Sequence, residues 1–180
     1  MPYAIELALD PSSDAAVRRV WHELDRAGIT WMARSGARPH VTVGVWETLD
    51  IDETTCELTR FADETAPLRL TLASVGMFPG VAVFLAPVVT AELLDLHARV
   101  HRRLAGRGGG AWHHYQRGAW VPHCTVASDL EPDQFQSASA IAARAPLPLE
   151  SLLVEVSIVE FRPVNQVVSR TLRGGSRGDG

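Results

Sequence analysis

Pro39-His40-Val41-Thr42-Val43 and, 83 positions further on, Pro122-His123-Cys124-Thr125-Val126 are nearly the same five residues written twice. Both copies sit among β-branched and apolar residues (HVTVGVW and WVPHCTVAS), a composition that predicts strands. Side chains alternate along a strand, so His and Thr of each copy project to one face while Val41, Val43, Cys124 and Val126 project to the other. Two such strands side by side gather two imidazoles and two hydroxyls over one patch. Imidazole titrates at about 6.5, so the pair can divide acid and base duties near neutral pH. That combination suits phosphoryl chemistry without a metal ion.

Outward from the motifs, the order of elements repeats. Residues 3–10 alternate as a strand. Asp10-Pro11-Ser12-Ser13 reads as a turn able to cap a helix, and residues 14–27 carry Val17, Val20, Trp21 and Leu24 at helical spacing up to Gly28. A loop with Ser35-Gly36 then leads into the first motif strand, residues 38–46. In the second half, residues 80–88 form a strand, and Thr90 caps a helix over 91–105 with Leu93, Leu96, Val100 and Leu104 on one stripe. Gly106 stops it, a loop rich in glycine and aromatics follows, and residues 119–127 are the second motif strand. Helices at 52–64 and 132–144 follow the motifs, then strand material at 68–75, 152–161 and 167–172. An internal duplication is the economical account. Residues 1–173 are expected to be one domain and 174–180 a disordered tail.

Composition sets the outer limits. A chain of 180 residues with 46% hydrophobic and 21% charged residues has the make-up of a globular domain. Its apolar stretches fall short of the roughly 18 residues of a membrane span, and its first residues alternate like a strand instead of resembling a signal peptide. Cys56 and Cys124 imply no disulfide framework, which fits a cytoplasmic protein with reduced thiols. The net charge is −4 with no basic run, so a small or terminal nucleotide fits better than long RNA, and neither DNA nor a membrane is expected as a partner.

The duplicated pattern resembles the 2H phosphoesterase superfamily, which includes bacterial 2′-5′ RNA ligase-like proteins and cyclic nucleotide phosphodiesterases. The resemblance spans residues 3–172. It rests on the paired H-x-T-x motifs and on the segment Gly76-Met77-Phe78-Pro79-Gly80-Val81-Ala82-Val83-Phe84-Leu85 between them. It implies an α+β, bilobal, pseudo-two-fold fold, with two antiparallel sheets lining a central cleft and helices outside. It places His40, Thr42, His123 and Thr125 on the cleft floor. It also implies a metal-independent, cofactor-free activity on a 2′,3′-cyclic phosphate or 2′-5′ phosphodiester of a nucleotide or RNA end, a role in RNA processing, and a monomer. Members acting on RNA ends often carry a basic residue shortly after the second motif, where this chain has Ala127-Ser128-Asp129.

The residues argue the same chemistry independently. Opening a cyclic phosphate needs a base for water on one side of phosphorus and an acid for the departing ribose oxygen on the other. Thr hydroxyls can donate to the non-bridging oxygens, where charge accumulates. Run backwards, the arrangement joins a cyclic end to a 5′-hydroxyl. A module of the same fold that holds a nucleotide or RNA end without turning it over is the alternative. Trp46, Phe78, Tyr115 and Trp120 are candidates to stack a base, and Arg38 and Arg117, flanking the motifs, to contact phosphate. His97 and His101 stand at i, i+4, a spacing open to a metal, but without an acidic or Cys partner they read as a solvated helix face. Gly106-Arg107-Gly108-Gly109-Gly110 follows a helix, so it reads as a flexible connection and not a phosphate loop. His113-His114 can reach the cleft mouth.

Overall fold

The computed structural model describes residues 1–161 and 163–174. The first strand, β1 (Tyr3–Leu9), buries nearly every side chain, including Glu6 at 8% exposure. Asp10 ends it and caps α1 (Pro11–Arg26). Its carboxylate accepts from the N–H groups of Ser12 and Ser13, and Pro11 opens the first turn, where its missing donor costs nothing. The helix thus starts earlier than the expected 14–27. Gly28, at φ +85°, reverses the chain. A single turn, α2 (Trp31–Arg34), occupies what reads as loop. Then come β2 (His40–Leu49), α3 (Ile51–Glu64), β3 (Leu68–Phe78), β4 (Ala82–Pro87) and α4 (Ala91–Arg103).

The Gly-rich segment is not a flexible connection. Residues 108–111 form β5 (Gly108–Ala111), paired with the outer edge of β2. Glycine is a poor strand former, which hides this element from propensity. It is required here because a Cβ on Gly108 would lie 2.7–2.8 Å from Leu49, the Thr48 carbonyl and Trp46. A short 3-10 turn (His113–Tyr115) follows. The second motif strand, β6 (Cys124–Ser128), is shorter than the expected 119–127, since Pro122 has no N–H for a ladder and His123 precedes the pairing. The chain closes with α5 (Gln134–Ala142), β7 (Leu149–Glu160) and β8 (Asn165–Thr171). Of the expected tail, Gly174 hydrogen-bonds the Thr65 carbonyl, and 175–180 lie outside the described residues.

The fold is α+β with antiparallel pairing throughout. Its eight strands form one sheet, in the order β5-β2-β1-β7-β3-β4-β6 with β8 also on β7. This corrects the expectation of two separate sheets, and β7 is the reason. Residues 149–153 pair with β3, residues 153–160 with β1, and Leu153 is shared by both ladders. A 12-residue strand is long enough to serve two sets of neighbours. The curl of the sheet brings the motif strands β2 and β6 together although they are not hydrogen-bonded neighbours.

The helices are exchanged between the halves. α1 precedes the first motif yet backs the second motif strand, where the Trp21 indole donates to the Thr125 carbonyl at 3.2 Å. α4 precedes the second motif yet backs the first, with His101 donating to the Val43 carbonyl at 2.9 Å. Val17, Val20, Trp21, Leu24, Leu93, Leu96 and Val100 bury these helices against Val41, Val43, Cys124 and Val126 on the motif strands' inner face. Each such side chain contributes about 1.5–3 kcal/mol by its burial, so core packing outweighs the single indole or imidazole hydrogen bond in holding each helix to its motif strand.

Candidate active site

On the other face of the sheet lies a cavity of about 480 Å³, lined by His40, Thr42, His123 and Thr125 together with Phe78 and Tyr115. The two imidazoles are fixed in the same way. His40 Nδ1 donates to the Arg38 carbonyl at 2.5 Å, and His123 Nδ1 donates to the Val121 carbonyl at 2.7 Å, two residues back in each case. A carbonyl only accepts, so each Nδ1 carries a proton and each Nε2 remains for chemistry. The Thr carbonyls are also anchored alike, by the Trp120 indole on Thr42 (3.0 Å) and the Trp21 indole on Thr125. Burial pushes the Cys124 thiol up to about 12, against a hydrogen bond from the His40 backbone, and the side chain serves as packing.

The environments of the two imidazoles differ. His123 sits against the edge of Phe78 at 4.9 Å between centroids and beside Phe84 and Tyr115. Burial lowers its pKa; the Val121 bond opposes this, and charge on His40 lowers it further. Beside His40 stands Glu6, its Oε1 3.4 Å from Nε2. Burial raises the Glu6 pKa, with His40 and Arg38 pulling the other way. Glu6 and His40 are therefore placed to hold one proton between them. The Tyr115 hydroxyl is driven up to about 12 by burial and by Glu6, so it stays protonated as a donor.

Arg38, Arg117 and Trp120 do not line the cavity. Arg38 is taken by Glu155, with further bonds to Ser157 at 3.0 Å and Gln166 at 3.3 Å. Arg117 lies on the exposed turn after the 3-10 segment, outside the wall. Trp120 and Trp46 work from behind. Trp120 stacks on His97 at 4.1 Å, and Trp46 is buried against His101. His97 is 2% exposed and its Nε2 meets the Tyr115 carbonyl at 2.9 Å, which corrects the reading of a solvated helix face. Burial lowers its pKa, so it is neutral as packed. Among the described residues no group of three or more His, Cys, Asp or Glu could hold a metal ion.

Several wall residues escape the motif analysis: Glu6, Trp31, Met32, Trp112, Ser128 and Phe161. Glu6 had one signal, a lone carboxylate inside the apolar run of residues 4–9. Trp112 is oriented by its indole, which donates to Glu47 at 2.5 Å, and meets the edge of Phe161 at 5.8 Å.

The 2′-5′ RNA ligase superfamily model matches residues 9–164, both motifs included. The chain belongs to this superfamily. A curated protein of Oceanobacillus iheyensis, named as a candidate phosphoesterase, is 32% identical to this superfamily member over 136 residues, 72% of each chain. The TT0787 protein of Thermus thermophilus shares the fold at a TM-score of 0.61 and 20% identity, over 97% of this chain and 99% of that one. Escherichia coli LigT, solved with 3′-AMP, superposes at 0.59 with 15% identity over 96% and 99% of the two chains. At these identities the two structures speak for the fold. No helix among the described residues is long and apolar enough to cross a membrane.

Proposed function

We propose that the protein is a metal-independent phosphoesterase that opens a 2′,3′-cyclic phosphate, or cleaves a 2′-5′ phosphodiester, of a nucleotide or RNA end. One observation carries the reading: two imidazoles on one cavity floor, each with Nδ1 tied to a carbonyl two residues back, which leaves Nε2 as the nitrogen for proton transfer. Burial favours neutral His123, so its Nε2 takes the proton from the attacking water as a P–O bond forms. The Glu6–His40 pair supplies the proton to the ribose oxygen as its bond to phosphorus breaks. Thr42 and Thr125 donate to the two non-bridging oxygens, an electrostatic contribution of about 2.7–4 kcal/mol per well-placed donor. Protonated His123 and deprotonated Glu6–His40 return to their starting states by proton exchange with solvent. The reverse sequence joins a cyclic end to a 5′-hydroxyl, so ligation uses the same groups. The 3′-AMP complex of LigT, a protein of the same fold, supports a nucleotide as the substrate class.

The test is turnover of adenosine 2′,3′-cyclic phosphate with EDTA present. Replacing His40 or His123 by Ala is expected to cost about 10²–10⁴ in kcat, with the double variant costing far less than the product of the singles. Undiminished activity in either variant, or activity abolished by EDTA and restored by a divalent ion, removes the mechanism. Binding without turnover in the parent protein leaves a holding module instead.

A further inference from the structure

His97 takes no part in the proposed chemistry, yet it touches both halves of the site from behind. The largely irregular stretch after β5 supplies Trp112, His114, Tyr115, Ala119 and Val121 to the cavity wall. Beneath this stretch, α4 presents the buried His97 ring, which makes two contacts. Its Nε2 donates to the Tyr115 carbonyl, and its face lies on the Trp120 indole at 4.1 Å with the planes 12° apart. Trp120 in turn donates to the Thr42 carbonyl at 3.0 Å. The second motif meets the same need more simply, because Trp21 belongs to α1 itself and reaches the Thr125 carbonyl directly. Trp120 lies on the irregular stretch and not on a helix, so its indole needs a platform, and the His97 ring is that platform.

We propose that His97 is a positioning residue with two separable effects: its N–H holds Tyr115 in the cavity wall and sets substrate affinity, and its ring holds Trp120 against Thr42 and sets turnover. The inference rests on the phosphoesterase reading for its chemistry and adds a residue that touches no substrate. Imidazole can serve both contacts at once because its N–H lies in the ring plane while its face is free to stack. The Thr42 hydroxyl meets a non-bridging oxygen on which further charge gathers as water attacks, so displacing it lowers kcat more than it raises KM. Tyr115 offers a ring and a protonated hydroxyl to bound substrate whether or not reaction has begun, so displacing it raises KM. A histidine that only stabilised the fold would not divide the two constants.

The experiment measures kcat and KM for adenosine 2′,3′-cyclic phosphate, with EDTA present, in three variants whose Tm is also recorded. His97→Gln keeps an N–H donor for the Tyr115 carbonyl and removes the ring, so kcat is expected to fall about tenfold with KM within about twofold of the parent. His97→Phe keeps the ring and removes the donor, so KM is expected to rise about three- to tenfold with kcat little changed. Trp120→Phe leaves His97 in place and lacks the indole N–H, so it is expected to repeat the kcat loss of His97→Gln. It also decides the inference if the His97 variants do not fold. Both constants moving together in the two His97 variants in step with Tm, or parental kcat in Trp120→Phe, overturns the inference and leaves the phosphoesterase reading intact. If the parent protein turns nothing over, that reading fails, and the inference is read from calorimetric binding of adenosine 3′-monophosphate. Binding about three- to tenfold weaker in His97→Phe than in His97→Gln supports it. Equal binding by the two variants, or no binding by the parent, overturns it.

Discussion

Replacing Glu6 by Gln keeps the size of the side chain and removes the charge 3.4 Å from His40 Nε2. With an effective dielectric near 20, unit charges at that separation interact by about 5 kcal/mol, a ceiling because both groups reach the cavity. Gln neither takes up nor releases a proton, so the pair loses one of its two proton carriers. At neutral pH that should lower kcat/KM by about 10–100-fold, within the range of a positioned acid–base group. Stability should move the other way. The folded-state pKa of Glu6 is raised above 4.5, so the folded protein holds this proton longer than the unfolded chain, and ionised Glu6 erodes stability as pH rises past that value. Glu6→Gln should therefore be at least as stable as the parent at pH 7. The assays are a pH–rate profile and a thermal melt. Undiminished kcat/KM at neutral pH, or a loss of activity tracked by a lower Tm, would refute the proton-sharing role.

Two further expectations concern stability. Asp10 accepts from five donors, in Ser12, Ser13, Ser151 and Leu152, and despite burial its pKa is held down to about 2 by those bonds. Asp10→Ala should cost about 2 kcal/mol at pH 7 by chemical denaturation. The Asp10 contribution is present above 3.8 and lost as pH falls toward 2, so parent and variant should converge in acid. His97 is buried with a lowered pKa, so the unfolded chain binds its proton first and stability drops as pH falls through 6.5. The Tm decline between pH 7 and 5 should flatten in His97→Gln, and an unchanged slope counts against a neutral, packed His97.

The motifs were legible because their information is local: His and Thr two apart on an extended chain share a face whatever the rest of the fold does. Glu6 was not, because its position beside His40 comes from the β1–β2 register, which sets Glu6 opposite Thr42 after a bulge at Ile5. The flanking arginines misled for a related reason. Arg38 lies next to the motif in sequence, but Glu155 and Ser157 on β7 claim its guanidinium, and a partner 117 residues away leaves no trace nearby. Likewise the helical stripe of α4 was plain, yet whether His97 meets water or Trp120 depended on where the 112–123 segment lands.

The shared strand β7 has a bearing on which changes of length the chain can absorb. Because residues 149–153 hold one ladder and 153–160 the other, the spacing between the motif strands is counted in residues of a single segment. One residue inserted at Leu153 turns every following side chain to the wrong face. Two restore the faces but slide the halves past one another by about 7 Å, more than twice the reach of a hydrogen bond. The connections around Gly36 and Gly118 can lengthen or shorten at the surface with small entropic cost. Variation in length among relatives of this chain is therefore expected to fall in those connections and to spare β7.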